Sequence, residues 1–122
     1  MKGHRLPTAP DALDALDVDR ITEVFGALAD ATRLRLVLRL SHGESNVSGL
    51  VETLGLPQST VSRHLALLRA AELVRRERHG TSMVYRLAGP HLRDLLLEAF
   101  SHAEHEREDG HPRRAAPEAR TG

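Results

Sequence analysis

Between Pro57 and Val74 the chain reads PQSTVSRHLALLRAAELV, with apolar side chains at Val61, Leu65, Leu68 and Leu73. Spacings of about three to five residues line one side of a helix with core-forming groups, so the pattern predicts a single helix over 57–74 with a buried stripe. Upstream, Leu13, Leu16, Ile21, Val24, Phe25 and Leu28 give a helical pattern over 11–29. Asp30 is a suitable N-cap for a second helix, Thr32–Leu40, in which Leu34, Val37, Leu38 and Leu40 are interleaved with Arg33, Arg35 and Arg39. Ser41-His42-Gly43 ends it, with Gly43 expected at the C′ position. A short third helix is predicted over Val47–Leu54, closed by Gly55, and Leu56-Pro57 makes a tight turn into the long helix. After Val74 the period changes. In RRERHGTSMVYRL, Gly80 separates two runs able to pair as a hairpin, and Val84, Tyr85 and Leu87 favour extended backbone. A last helix begins near Pro90, carries Leu92, Leu95, Leu96, Ala99 and Ala103 along one side, and fades by Glu108.

Helix, short turn, helix and then hairpin predicts a mainly α protein with a small β-hairpin: a winged helix-turn-helix. Residues 1–10 and 109–122 are polar, contain proline and lack periodicity, and are expected to be disordered arms around one domain over 11–108. The long helix then has a second role. Gln58, Ser59, Thr60, Ser62, Arg63 and His64 crowd its first turns. Such short or fork-shaped hydrogen-bonding groups suit the DNA major groove, where they reach base edges and phosphates. Alone, the same pattern also fits a plain surface helix. His64 is expected to face either the helix-turn-helix interior or the DNA backbone. The hairpin places Arg75, Arg76, Arg78 and His79 at or near its tip, as a wing touching phosphates or the minor groove would. A merely solvated hairpin is the alternative.

Charge supports the DNA reading by its distribution rather than its sum. Seventeen acids balance seventeen Lys and Arg across 122 residues, so the net charge is zero and no global field draws the chain to nucleic acid or membrane. Between Arg63 and Arg86, however, six arginines (63, 69, 75, 76, 78, 86) face only Glu72 and Glu77. Between Asp11 and Asp30 six acids face only Arg20. With no apolar run near the roughly 20 residues of a membrane span and no signal-peptide core, a cytoplasmic protein is expected. Ser59 or Ser62 beside His64 lacks a nucleophile elbow, an oxyanion loop and an orienting acid, so no enzyme is expected.

Cysteine is absent, which excludes disulfides and thiolate metal sites. Eight histidines leave nitrogen and oxygen chemistry open. His102 and His105 are three apart and share one helix face. His91, eleven residues earlier, returns to nearly that face but lies roughly 16 Å away along the axis. Metal–nitrogen bonds of about 2.0–2.1 Å therefore cannot join all three within one helix, whereas an antiparallel second copy would bring His91 of one subunit to His102 and His105 of the other. Three histidines on a solvated face are the alternative. A homodimer held by the first and last helices is expected, since Leu92, Leu95, Leu96 and Phe100 leave much apolar surface.

FGALADATRLRLVLRL, PQSTVSRHLALLRAAELV and HGTSMVYRL together resemble the ArsR/SmtB family of winged-helix metal-sensing transcriptional regulators, over roughly residues 18–107. The ending GPHLRDLLLEAFSHAEH resembles the C-terminal-helix site of the family's zinc, cobalt and nickel sensors. The resemblance implies His91, His102 and His105 as metal ligands across a dimer, with nickel or cobalt favoured and zinc a further candidate. Gly89 stands where the family has an aspartate ligand, and Asn46-Val47-Ser48-Gly49 stands where many members carry Cys-x-Cys. Asp94, His4 and His111 are further candidate ligands. The resemblance also implies an allosteric link between a second ring nitrogen of His102 and the backbone carbonyl at Glu72. Double-stranded operator DNA is the implied partner, and no small organic ligand is expected. Two rival functions remain: a metal-independent winged-helix regulator, and a dimeric protein-interaction module with a structural metal.

Overall fold

A computed structural model describes residues 18–108. Residues up to Ala88 form one unit, built from α1 (Val18–Leu28), α2 (Ala31–Leu40), β1 (Ser45–Asn46), α3 (Val47–Leu54), α4 (Gln58–Ala70), β2 (Val74–His79) and β3 (Ser82–Leu87). The second unit contains α5 (Pro90–Glu108). The expected architecture is present, with one addition: the sheet has three antiparallel strands in the order β1-β3-β2. Ser45 and Asn46 pair with Tyr85 and Val84, so a third strand joins the predicted hairpin.

Local chemistry explains most boundaries. Asp30 caps α2 by accepting a hydrogen bond from the Arg33 backbone N–H at 3.0 Å. Asn46 caps α3 in the same way, accepting from Gly49 N–H at 2.8 Å. Gly55 closes α3 in the left-handed conformation, φ 69°. Gly43 also has positive φ, 148°, but lies two residues beyond the Ser41 C-cap, one later than expected.

The long helix ends earlier than its apolar pattern predicts. α4 stops at Ala70, and Leu73 is buried from the following turn rather than from the helix. That turn is a Schellman motif: Leu73 N–H bonds Leu68 O at 2.9 Å and Glu72 N–H bonds Arg69 O at 2.9 Å. Its left-handed residue is Glu72, φ 62°, in the position glycine usually takes.

The core of the first unit joins Leu36, Val37 and Leu40 of α2, Leu50 of α3, and Val61, Leu65 and Leu68 of α4. Leu73, Val74 and Tyr85 continue it from the Schellman turn into the sheet. α1 contributes no buried residue; Val18, Ile21 and Phe25, three and four apart, expose 55%, 44% and 55% of their surface along one face. The expected start of this helix at Asp11 lies outside the described residues, as do both arms.

Candidate functional site

α4 separates its two faces cleanly. Val61, His64, Leu65 and Leu68 are buried, and Gln58, Ser59, Ser62 and Arg63 are exposed, with Thr60 half-buried at the margin. At about 100° per residue, Ser59, Ser62, Arg63, Ala66 and Ala70 fall on one side, opposite the core. Apart from Arg63 these side chains are short, so backbone and hydroxyls can approach a groove wall closely while the guanidinium reaches a base edge. Pro57 precedes the helix and makes no side-chain cap, leaving the first N–H groups of α4 without a side-chain acceptor from that position.

His64 is placed differently from the other predicted contact residues. It is 8% exposed and turned into the protein, so its side chain does not share the exposed face of Gln58, Ser59, Ser62 and Arg63. Its Nδ1 lies 3.3 Å from Arg33 Nη1 and 3.9 Å from Asp30 Oδ2. Burial holds the His64 pKa below the usual histidine value, with Asp30 opposing and Arg63 and Arg33 reinforcing that shift. Asp30 is itself held below the usual carboxylate range, chiefly by the Arg33 backbone N–H it accepts.

In the wing, strand alternation puts Arg76 and Arg78 on one face and Arg75, Glu77 and His79 on the other. Gly80, φ 65°, and Thr81 form the tip, so His79 is near it, paired with Ser82, and Arg78 is opposite Met83. Arg75 is not near the tip: it lies at the base, directly across from Arg86. Glu77 accepts from Arg86 Nη1 at 3.0 Å and faces His79 Nε2 at 3.4 Å, and those two partners, Arg86 first, hold its carboxyl below the usual range. Arg69, Arg75, Arg76 and Arg86 share with Glu72 and Glu77 an open concavity of about 620 Å³ at the wing base. Four guanidiniums against two carboxylates make this junction basic, a feature the sequence showed only as a charge run.

On α5, His91, His102 and His105 are all exposed. His102 Nε2 lies 3.3 Å from Glu106 Oε2, one turn on. His105 Nδ1 is 2.9 Å from the Ser101 carbonyl oxygen, an arrangement that places the ring proton on Nδ1 and leaves Nε2 as a free donor of electrons to a metal. Among the described residues of one chain, no three His, Asp or Glu side chains converge on a metal position. Asp94 is exposed on the same helix, Gly89 has open space where a side chain would project, and His4 and His111 lie outside the described residues. Leu95, Leu97 and Phe100 are exposed apolar groups of α5.

Residues 30–76 match the family model described as bacterial regulatory protein, arsR family. The HTH-type transcriptional regulator KmtR of Mycobacterium tuberculosis is 45% identical over 98 residues, 80% of this chain and 75% of that protein. The HTH-type transcriptional regulator NmtR of the same organism is 38% identical over 105 residues, 86% of each chain. Among solved structures, a homodimeric winged helix-turn-helix DNA-binding domain of Mycobacterium bovis, Mb0332, a possible ArsR-family regulator, is similar with a TM-score of 0.74. That likeness has 29% identity and covers 89% of this chain and 100% of that one.

Proposed function

This chain belongs to the ArsR family of bacterial regulatory proteins and is a transcriptional regulator of that type, and from this premise we propose that it is a metal-responsive, homodimeric operator-binding protein. The carrying observation is the pairing of a DNA-suited face on α4 with three exposed histidines on α5, too far apart along one helix to share an ion. The Mycobacterium bovis domain is a homodimer, and the same assembly here would cover Val18, Ile21 and Phe25 of α1 and Leu95, Leu97 and Phe100 of α5.

In that dimer His102 and His105 of one protomer and His91 of its partner form each of two equivalent sites. The donor set suits a divalent cation of borderline softness: three neutral imidazoles, no thiolate, and His105 already held with Nε2 free. Nickel or cobalt fits better than zinc, because Gly89 supplies no carboxylate as a fourth tetrahedral ligand and higher coordination admits water, Asp94 or a histidine such as His4 or His111. The ion would supply a cross-link between the two α5 helices.

His102 has a second role in this reading. Its Nε2 faces Glu106 at 3.3 Å; with metal bound, the resemblance implies that this ring would instead donate to the Glu72 carbonyl, at the left-handed residue closing α4. The Schellman turn would thus be the point where the state of α5 reaches the recognition helix. By linkage, DNA must weaken metal binding by the same factor that metal weakens DNA binding.

Sedimentation with metal titration tests the assembly. The expected result is a dimer without metal at micromolar concentration, taking up two Ni(II) or Co(II) ions per dimer. A stable apo monomer, or tight uptake by a monomer, would remove the intersubunit site.

A further inference from the structure

His64 is the buried polar side chain of the described core, and it stands where three elements meet. Arg33, in the first turn of α2, donates from Nε to the Ala27 carbonyl oxygen near the end of α1 at 2.6 Å. Its Nη1 lies 3.3 Å from His64 Nδ1. Asp30, the N-cap of α2, accepts from the Arg33 backbone and keeps Oδ2 at 3.9 Å from the same imidazole nitrogen. A guanidinium has donors only, so the 3.3 Å contact is a hydrogen bond when Nδ1 is unprotonated and the ring proton sits on Nε2. The imidazole is then an acceptor tying α4 to the start of α2. It lies on the far side of the helix from Ser59 and Ser62 and about 100° round from its neighbour Arg63.

We propose that His64 is a positioning residue for DNA recognition: by accepting from Arg33 through neutral Nδ1 it fixes the rotation of α4, and protonation removes that bond and weakens operator binding. The proposal rests on the DNA-binding reading above.

The charged groups facing His64 are Asp30 and Arg33 from the α2 N-terminus and Arg63 from its own helix; the end of α1 contributes the uncharged Ala27 carbonyl, which Arg33 already occupies. A protonated Nδ1–H would meet the N–H donors of Arg33, and the acceptor the structure sets nearest it among the described ion pairs is the Asp30 carboxylate. Protonation therefore exchanges an Arg33 contact for an Asp30 contact and turns the ring. The sign is fixed by the depressed pKa. As pH falls through 6.5 the unfolded chain takes up the proton before the folded one, so stability declines over the interval down to the folded value. DNA bound through the neutral form weakens in the same direction. The wing histidine, His79, faces Glu77 at 3.4 Å outside this cluster and serves as the control.

The test uses metal-free full-length protein in chelator and a DNA duplex selected by the wild type at pH 7.5 from a random-sequence library. Affinity is measured at pH 7.5 and 5.5 for wild type, His64→Asn, His64→Leu and His79→Asn. Asn Oδ1 stands where Nδ1 does, accepts a hydrogen bond and does not titrate. Expected are near wild-type affinity for His64→Asn at pH 7.5, with the acid-induced loss gone relative to wild type. His64→Leu should bind about three- to tenfold more weakly than wild type at pH 7.5, the size of one lost hydrogen bond, with no further acid-induced loss at pH 5.5, and His79→Asn should keep the acid-induced loss. Parallel pH profiles for wild type and His64→Asn, or wild-type affinity in His64→Leu, overturn the proposal. Imidazole nitrogen NMR on the wild type guards against folding defects in the variants: a protonated Nδ1 at pH 7.5 also overturns it. A wild type that enriches no duplex overturns the DNA-binding reading and this proposal together, whereas a pH profile unchanged by His64→Asn overturns the proposal alone.

Discussion

Arg78→Ala separates backbone contact from base reading through its salt dependence. Arg78 is exposed on β2, two residues before Gly80, and opposite Met83. Its neighbouring acid, Glu77, is engaged by Arg86 at 3.0 Å and faces His79 at 3.4 Å, and among the described residues Arg78 has no ion pair. A guanidinium so placed that meets one phosphate contributes about 0.9 to the slope of log affinity against log salt, and in a two-fold dimer the substitution counts twice, about 1.8. Salt raised from about 50 to 200 mM is a fourfold change, so the wild type should lose about twelvefold more affinity than Arg78→Ala over that interval. At any one salt concentration the variant should weaken selected and random duplexes by the same factor. Folding stability should stay within about 0.5 kcal/mol of wild type, as for other exposed sites. Fluorescence anisotropy of a labelled duplex at four salt concentrations reads the slope. An unchanged slope would refute the phosphate contact, and a loss confined to the selected sequence would make Arg78 a base reader instead.

Arg63→Ala should act the other way: about 1–3 kcal/mol of preference between selected and random duplexes is lost if Arg63 pairs with a guanine, and an unaltered preference would remove the recognition-helix assignment. Glu72→Gly should raise stability by up to about 1 kcal/mol in urea unfolding, because glycine relieves the left-handed backbone at φ 62° while only an exposed pair with Arg20 at 3.4 Å is lost. A destabilisation of similar size would mean that Glu72 holds the turn through its side chain.

Elements with local chemical punctuation were legible in the sequence. Asp30, the Asn46–Gly55 interval and Pro90 mark helix ends by capping, left-handed glycine or proline, and the structure has those ends where the residues put them. Elements set by distant partners were not. β1 is two residues long and exists because Tyr85 and Val84 pair with it, which no period in Ser45-Asn46 announces. The end of α4 was missed because its left-handed residue is a glutamate, and because Leu73 keeps a helical spacing although it is buried from the turn. Among candidate site residues, the exposure of Ser59, Ser62 and Arg63 opposite the core followed from amphipathic pattern alone. The interior placement of His64 follows from Arg33 and Asp30, some thirty residues away in sequence, and periodicity gives burial without naming the partner. Arg75 was set too near the wing tip because β2 begins at Val74, which makes it a base residue.

The central claim, that metal at His91, His102 and His105 controls operator binding, is tested most directly by one titration. Wild type and His102→Ala are bound to the same selected duplex at moderate salt, and Ni(II), Co(II) and Zn(II) are added in turn while anisotropy is followed. The account predicts equal binding by both proteins without metal, release of the wild type on adding nickel or cobalt, and no response from His102→Ala to any of the three. Release of DNA by His102→Ala on adding nickel, or a wild type indifferent to every metal, would contradict it.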